Sequence, residues 1–91
     1  MQLQRGEVQG YELNRMVVEF TMFNQGKTLR CAISTAAMDD LEGKHDVKAD
    51  QRLDQFERLR DVIEERASRK FFDGPVDAEG PVVLRSNDFF K

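Results

Sequence analysis

The stretch that decides the fold is residues 15–34, RMVVEFTMFNQGKTLRCAIS. Apolar side chains alternate with other residues on both sides of its central Asn-Gln-Gly-Lys, and this spacing is typical of half-buried strands. β-branched and aromatic residues dominate the first run, which favours a strand over a helix. Because Asn-Gln-Gly-Lys is typical of a tight turn, the stretch predicts a β-hairpin with strands at 15–23 and 28–34.

The apolar face of the hairpin fixes how the two strands pair, because a slip of one residue turns every side chain over. An even-length loop within 24–27 pairs residues whose numbers add up to 51, such as Phe20 with Cys31 and Val18 with Ile33. We therefore predict this register, with a loop of two or four residues. The opposite face forms a candidate interaction face, and its central residues are Glu19, Thr21, Phe23 and Arg30.

This second face is half apolar, so we expect it to contact a partner or the N-terminal segment. Glu19 and Arg30 are diagonal neighbours on it and lie close enough to interact. Residues 1–14 are polar and interrupted by glycines. They predict a loose N-terminal arm or a short edge strand near 8–13.

Two helices are predicted after the hairpin. Ser34 is suited to cap a short helix over 35–41, and Gly43 is suited to end it. A long helix is predicted over 49–71, with Asp50 as its cap. Its core-facing stripe follows helical spacing, with Leu59 and Val62 at its margin, and consists of Leu53, Phe56, Arg60, Ile63, Ala67 and Phe71.

The rest of the chain predicts a turn over 77–80, a short strand over 81–85 and a tail over 86–91. The fold class is α+β in a single domain, 1–91: an antiparallel hairpin and a short late strand, packed by one short and one long helix. The long helix would span about 34 Å at 1.5 Å per residue. The first strand would span about 30 Å, so one helix can cover one sheet face.

Composition excludes several functions. The 91 residues carry 14 Lys and Arg against 17 Asp and Glu, a net charge of −3, whereas nucleic-acid binding needs a basic footprint. No apolar run reaches the roughly 20 residues that span a bilayer, and the N-terminus lacks the pattern of a signal peptide. With a single cysteine, the expected compartment is a reducing cytoplasm. We therefore predict no nucleic-acid partner and no membrane partner.

Residues with reactive side chains are isolated. His45 is the single histidine and lies in a polar connector, where the expected state is a solvated loop residue. Cys31 lies on the apolar face of a strand and is expected to act as a small hydrophobic residue. No phosphate-binding glycine loop and no nucleophile–histidine–acid set is present. We predict no metal, no cofactor and no catalytic residue, which leaves enzymatic activity uncertain but disfavoured.

Arg60 interrupts the apolar stripe of the long helix. Its stem is suited to cover the core margin while the guanidinium reaches an acid such as Asp88. The competing hypothesis is a contact with a bound anion. Two pairs of aromatic residues lie at the ends of the long helix and of the tail, namely Phe71, Phe72, Phe89 and Phe90. They fit a packed C-terminal lid and a contact patch equally well.

Several short motifs together resemble a known family. They are Val17-Val18-Glu19-Phe20, Gly26, Cys31-Ala32-Ile33-Ser34, Phe56, Arg60, Ile63, Ala67, Gly80, Leu84 and Asp88-Phe89. In order and spacing these residues resemble an uncharacterised bacterial family, domain of unknown function 1488. The resemblance implies a small bacterial α+β domain and supplies no activity, cofactor or catalytic residue.

Two hypotheses for function remain. The first is a non-enzymatic protein-interaction or regulatory domain that binds a protein partner or forms a homodimer. Its grounds are the lack of a catalytic set and the mixed second sheet face. The second is a small-ligand or anion-binding domain that uses Arg30, Arg60 or Arg85.

Overall fold

The structure, a computed structural model, describes residues 2–74 and 81–90 of the chain. The predicted turn over 77–80 lies outside the described residues. Along the chain the elements are β1 (Gln4–Glu12), β2 (Val17–Asn24), β3 (Lys27–Ser34), α1 (Thr35–Glu42), a 3-10 turn (Ala49–Gln51), α2 (Arg52–Asp73), β4 (Val82–Leu84) and α3 (Ser86–Phe89).

The four strands form one mixed sheet in the order β1-β2-β3-β4. β1 pairs with β2 and β2 pairs with β3 in antiparallel fashion, whereas β4 runs parallel to β3. Parallel strands need a long crossover connection, and here the chain passes through α1 and α2 between β3 and β4. The predicted α+β class is confirmed, with the hairpin, the late strand and the short and long helices all present.

The hairpin has the predicted register. Phe20 lies opposite Cys31 and Val18 lies opposite Ile33, so the numbers of paired residues add up to 51. The loop has two residues, Gln25 and Gly26, with φ angles of 52° and 83°. Positive φ at both loop residues is typical of a type I′ turn, whose twist matches that of the flanking strands.

The N-terminal segment is the edge strand β1, nine residues long and therefore longer than the strand predicted near 8–13. It pairs with β2 from Gln4 to Glu12, with irregularities on either side of Val8. The polar sequence gave little signal for this strand, because backbone pairing with β2 holds an edge strand without an alternating apolar pattern of its own. At the other end, the predicted tail contains the short helix α3.

The ends of α1 are as predicted. The Ser34 hydroxyl accepts a hydrogen bond from the Ala37 N–H at 3.1 Å, and Gly43 ends the helix with a φ of 69°. The start of the long helix differs from the prediction. Asp50 is not its cap but lies within the 3-10 turn, and the Gln51 side chain accepts from the Lys48 N–H at 3.2 Å.

One hydrophobic core lies between the sheet and the helices. The rings of Phe20 and Phe56 meet at its centre, with their centroids 5.1 Å apart. Buried residues from the sheet and from both α1 and α2 complete it, namely Val18, Met22, Cys31, Ile33, Ala37, Met38, Ile63, Ala67 and Leu84. All three helices therefore contribute to the same side of the sheet, since Phe89 of α3 packs against this core as well.

The buried face of α2 is only partly the predicted stripe. Phe56, Ile63 and Ala67 are buried, but Leu53 is 44% exposed, so its place in the stripe was wrong. Val62, predicted at the margin, is 46% exposed. Inward positions are taken instead by polar side chains that find partners across the fold, namely Arg52, Gln55, Glu64 and Ser68. Apolar spacing alone does not reveal such positions, because a buried polar group is tolerated once it is hydrogen-bonded.

Candidate functional site

The sheet turns one face away from the helices. Because successive side chains of a strand point to opposite faces, the neighbours of core residues Val18, Phe20 and Met22 lie on this second face. We call it the open face, and it is formed by Val17, Glu19, Thr21, Phe23, Thr28, Arg30, Ala32 and Ser34. It therefore contains all four residues of the predicted candidate interaction face.

Exposure varies across the open face. Val17 and Ala32 are buried, whereas Glu19 and Phe23 are partly exposed and Arg30 is exposed. The open face thus offers a part-exposed aromatic ring beside charged groups, which is a mixture typical of protein interfaces.

The two charged groups are diagonal neighbours, as predicted. Glu19 lies opposite Ala32, and Arg30 lies opposite Thr21 in the next row. The ion pair of Glu19 is with Arg15, with Nη1 and Oε2 3.7 Å apart. Within residues 2–74 and 81–90, no carboxylate lies within 4.0 Å of the Arg30 guanidinium.

The N-terminal segment meets the open face at its edge instead of lying across it. The Thr21 hydroxyl accepts from the Glu7 N–H at 2.9 Å and donates to the Glu7 carbonyl at 3.4 Å. Gly6 is packed so closely here that a Cβ would clash with the Thr21 carbonyl and hydroxyl oxygens. Glycine is therefore required where β1 bends against β2.

Both outer edges of the sheet are protected. The pairing of β1 with β2 is irregular on either side of Val8, and such bulges twist an edge strand away from new pairing. At the other edge β4 has three residues, and Lys70 Nζ donates to the Val83 carbonyl at 2.7 Å. A short edge strand with a lysine bonded to its backbone is a poor template for a further strand.

Arg60 is engaged within the chain. Its Nε donates to Glu64 at 3.0 Å, its Nη1 to Glu57 at 3.0 Å and its Nη2 to the Gly6 carbonyl at 3.1 Å. The suggested partner was wrong, because Asp88 accepts from Lys70 and from the Arg85 N–H instead. This geometry favours the structural role, and the anion contact stays a prediction.

A buried polar cluster at the start of α2 was not predicted. Arg52 Nη1 donates to Asp39 at 2.6 Å and to Gln55 at 2.7 Å, and Gln55 Nε2 also donates to Asp39 at 3.0 Å. Burial alone would raise the pKa of Asp39, but the hydrogen bonds from Arg52 and Gln55 outweigh it and lower the pKa. The cluster fastens α1 to α2. Asp39 lies 13 positions from Arg52 and 16 from Gln55, beyond the reach of local patterns.

The two isolated reactive residues are not brought together. Cys31 is a buried free thiol on β3, and burial raises its pKa to about 12, although a backbone hydrogen bond from Met22 opposes this. His45 is exposed in the connector between α1 and the 3-10 turn. In the described ranges, no group of three or more His, Cys, Asp or Glu side chains is arranged to hold a metal ion.

Most of the aromatic rings near the C-terminus cover the core, as a packed lid would, and do not form an exposed contact patch. Phe71, Phe72 and Phe89 are partly buried and pack against the core, whereas Phe90 is 52% exposed. Arg66 lies over the Phe89 ring, 5.7 Å from its centroid. Three of the four rings therefore cover the core, because consecutive residues on a helix can both reach an apolar surface.

The loop between β1 and β2 exposes two apolar side chains. One of them, Met16, was predicted within the strand over 15–23 and on its apolar face, and this prediction was wrong, because β2 begins at Val17. Leu13 is 67% exposed and Met16 is 53% exposed. Met16 has a φ of 54°, and its carbonyl accepts from the Thr35 N–H at 2.9 Å. A positive φ is uncommon at a residue other than glycine, and here it occurs where the Met16 N–H also donates to the Leu13 carbonyl at 3.2 Å.

Grooves on the described surface lie along α2 and are open to solvent. One has a volume of about 490 Å³ and is lined by Gln2, Glu65, Ser68, Arg69, Phe72 and Asp73. A second, of about 440 Å³, lies at the end of α2 beside Arg66, Lys70 and Asp88. No helix in the described part of the chain is long and apolar enough to cross a membrane.

These features define a small α+β domain with a mixed four-stranded sheet, helices on one face and an open second face. The family model described as "Protein of unknown function (DUF1488)" matches residues 5–84. The chain belongs to this family, as the sequence motifs implied.

A solved structure has the same fold. It is a crystal structure, at 1.60 Å resolution, of a protein of unknown function from the DUF1488 family of Shewanella loihica PV-4. The match has a TM-score of 0.72 at 23% sequence identity, and it covers 89% of this chain and 92% of that one. No curated protein matches the chain.

Proposed function

We propose that this chain is a non-enzymatic protein-interaction or regulatory domain and that its open face binds a protein partner. The observation that supports this best is the composition of the open face, where Phe23 is partly exposed beside Glu19, Thr21 and Arg30. Aromatic residues and arginine are enriched in protein interfaces, where they supply contact area and directed hydrogen bonds.

The sheet edges support the face as the contact surface. A partner that added a strand would need a regular row of free backbone groups. The β1 edge is interrupted around Val8, and the β4 edge is short and bonded by Lys70. Binding through side chains on the face avoids both obstacles.

Two arginines of α2 contrast with Arg30 on the open face. Arg58 pairs with Glu42 at 2.8 Å, and Arg69 pairs with Glu65 at 3.2 Å. Arg30 differs from them, since no carboxylate of the described residues lies within ion-pair distance. An exposed guanidinium with no carboxylate of the described residues within 4.0 Å is well placed to bind one on a partner.

The same observation on Arg30 supports the alternative, a small-ligand or anion-binding domain. Arg60 is a weaker candidate for that role because its three guanidinium nitrogens already donate within the chain. A thermal-shift screen with phosphate, sulfate and nucleotides tests the alternative. An anion present at 100 times its Kd would add about 2.7 kcal/mol to the free energy of unfolding, and Arg30→Gln should abolish the gain.

A cytoplasmic location belongs to the proposal. Cys31 is a buried free thiol, and chains with a single unpaired cysteine are typical of reducing compartments. A bacterial source is supported by the Shewanella neighbour of the same fold.

A comparison of surface variants tests the proposed function. The wild-type chain, Phe23→Ser, Arg30→Glu and the matched control Leu53→Ser are immobilised and exposed to an extract of the source organism. Leu53 is a suitable control because it is a partly exposed apolar residue on α2, away from the open face. Circular dichroism first establishes that each variant is folded.

The proposal expects a protein that the wild type and Leu53→Ser retain and that both open-face variants lose. Purified, that protein should bind the wild type in a calorimetric titration and bind Arg30→Glu at least about tenfold more weakly, since interface charge reversals are strongly unfavourable. An identical set of retained proteins for all four chains, together with unchanged self-association, would contradict the proposed function.

A further inference from the structure

We infer that the partner of the open face is a second copy of this chain, with Glu19 of each copy against Arg30 of the other. The inference rests on the proposed function and names its partner. In a two-fold dimer the same patch serves both copies, so the patch must be complementary to itself. The open face meets this requirement through its two diagonal charges.

The register sets the geometry of this pairing. Glu19 lies opposite Ala32 on one row, and Arg30 lies opposite Thr21 on the next row. Glu19 and Arg30 therefore lie on adjacent strands, one row of paired residues apart on the open face. A two-fold axis that runs between the two sheets, above the midpoint of the line from Glu19 to Arg30 and perpendicular to that line, places each acid opposite the base of the other copy.

Both groups are available for such a contact. Arg30 is exposed and has no carboxylate within 4.0 Å in the described ranges. The pair of Glu19 with Arg15 is long, at 3.7 Å, and its side chains are 46% and 55% exposed. Exposed ion pairs of this kind contribute little stability, so Glu19 can exchange Arg15 for a partner at little cost.

The surroundings of the two charges suit a face-to-face contact. Thr21, which lies opposite Arg30, is small and partly exposed, so the second sheet can approach closely at this position. Phe23 adds apolar area at one end. The open face comprises two strands, about 10 Å across at about 4.8 Å each, which makes a small interface, so we expect a dimer that dissociates on dilution.

Reversal of each charge in its own variant chain tests the inference. Light scattering and sedimentation equilibrium over a range of concentrations should show dimers for the wild type. Glu19→Arg alone and Arg30→Glu alone should each weaken association at least about tenfold, because each places like charges across the two-fold axis. An equimolar mixture of the two variants should associate as a heterodimer, because both contacts in it again join opposite charges.

The mixture distinguishes contacts between copies from effects within one chain. Each variant keeps its own substitution in the mixture, so association can be restored only by contacts between the two chains. Glu65→Arg and Arg69→Glu, an exposed pair on α2, form the matched control and should leave dimerisation unchanged. A monomeric wild type at every concentration, or single variants that dimerise as well as the wild type, would overturn the inference. If the chain is monomeric but the open-face variants still lose a protein from the extract, the proposed function stands and the homodimer alone falls.

Discussion

Arg5 on the edge strand donates from Nε to both carboxylate oxygens of Glu64 on α2, at 2.8 and 3.0 Å. Arg60 donates to the same carboxylate at 3.0 Å and also to the Gly6 carbonyl of β1 at 3.1 Å. One nearly buried carboxylate and two guanidinium groups therefore fasten the N-terminal strand to the long helix. This link holds the edge of the sheet whose second face we propose as an interface.

Glu64→Gln tests this link. The amide keeps the size of the side chain but loses the charge that both Arg5 and Arg60 face, and its NH₂ group cannot accept hydrogen bonds. We expect a loss of about 1–3 kcal/mol in the free energy of unfolding, measured by urea denaturation. Hydrogen exchange should become faster in β1 before it does in β2.

Asp61→Asn is the control for this variant. Asp61 also accepts from Arg5, at 2.8 Å, but its side chain is 95% exposed. Its replacement should change the free energy of unfolding by no more than about 0.5 kcal/mol. Equal losses for both variants would show that burial of Glu64 does not govern the link.

Phe56→Ala tests the core of the sheet–helix packing. Phe56 is fully buried against Phe20, so its truncation should cost about 3–5 kcal/mol. Leu53→Ala, three residues earlier on the same helix and 44% exposed, should cost less than about 1 kcal/mol. Similar losses for the two variants would mean that the face of α2 assigned to the core is wrong.

The Asp39 cluster predicts a loss of stability in acid. Burial opposes ionisation of Asp39, but the hydrogen bonds from Arg52 and Gln55 prevail, so its folded-state pKa lies below the usual 3.8. The hydrogen bond from Arg58 likewise holds the pKa of Glu42 below 4.5. Depressed carboxyl pKa values stabilise the fold above the unfolded-state value, and this stability is lost as the pH falls through the folded-state value.

We therefore expect the free energy of unfolding to decline steadily from about pH 4.5 downwards, as measured by urea denaturation at a series of pH values. Asp39→Asn should be less stable than the wild type at pH 7 and should show a shallower decline. Asp50→Asn, at an exposed carboxylate outside the cluster, serves as the control and should follow the wild type. An Asp39→Asn chain that declines as steeply as the wild type would contradict this assignment.

Cys31 should resist thiol reagents while the chain is folded. Burial raises its pKa from 9.0 to about 12, which lowers the thiolate fraction at pH 8 roughly a thousandfold. Labelling with iodoacetamide should be slow in buffer and fast in urea, as followed by mass spectrometry. Native labelling at the urea rate would place the thiol at the surface.

The hairpin and its register were predictable from sequence because they depend on local chemistry. Alternation assigns each side chain to a face, and one buried face admits a single pairing of Phe20 with Cys31. The cap of α1 was predictable for the same reason, since the Ser34 hydroxyl reaches an N–H three residues away. The open face, with Glu19 and Arg30 as diagonal neighbours, followed from the register.

Only the tertiary structure decided which polar groups are buried and which partners they find. Arg5 and Glu64 form a hydrogen bond although they are 59 positions apart in the sequence, and Arg52 and Asp39 do so at 13 positions. At such separations the spacing of residues does not indicate which pairs are in contact. The same holds for the exposure of Leu53, because the rotation of a helix on a sheet depends on all the groups that it packs against. Local hydrogen bonds and alternation are encoded within a few residues, whereas long-range pairing exists only after the chain has brought its distant segments together.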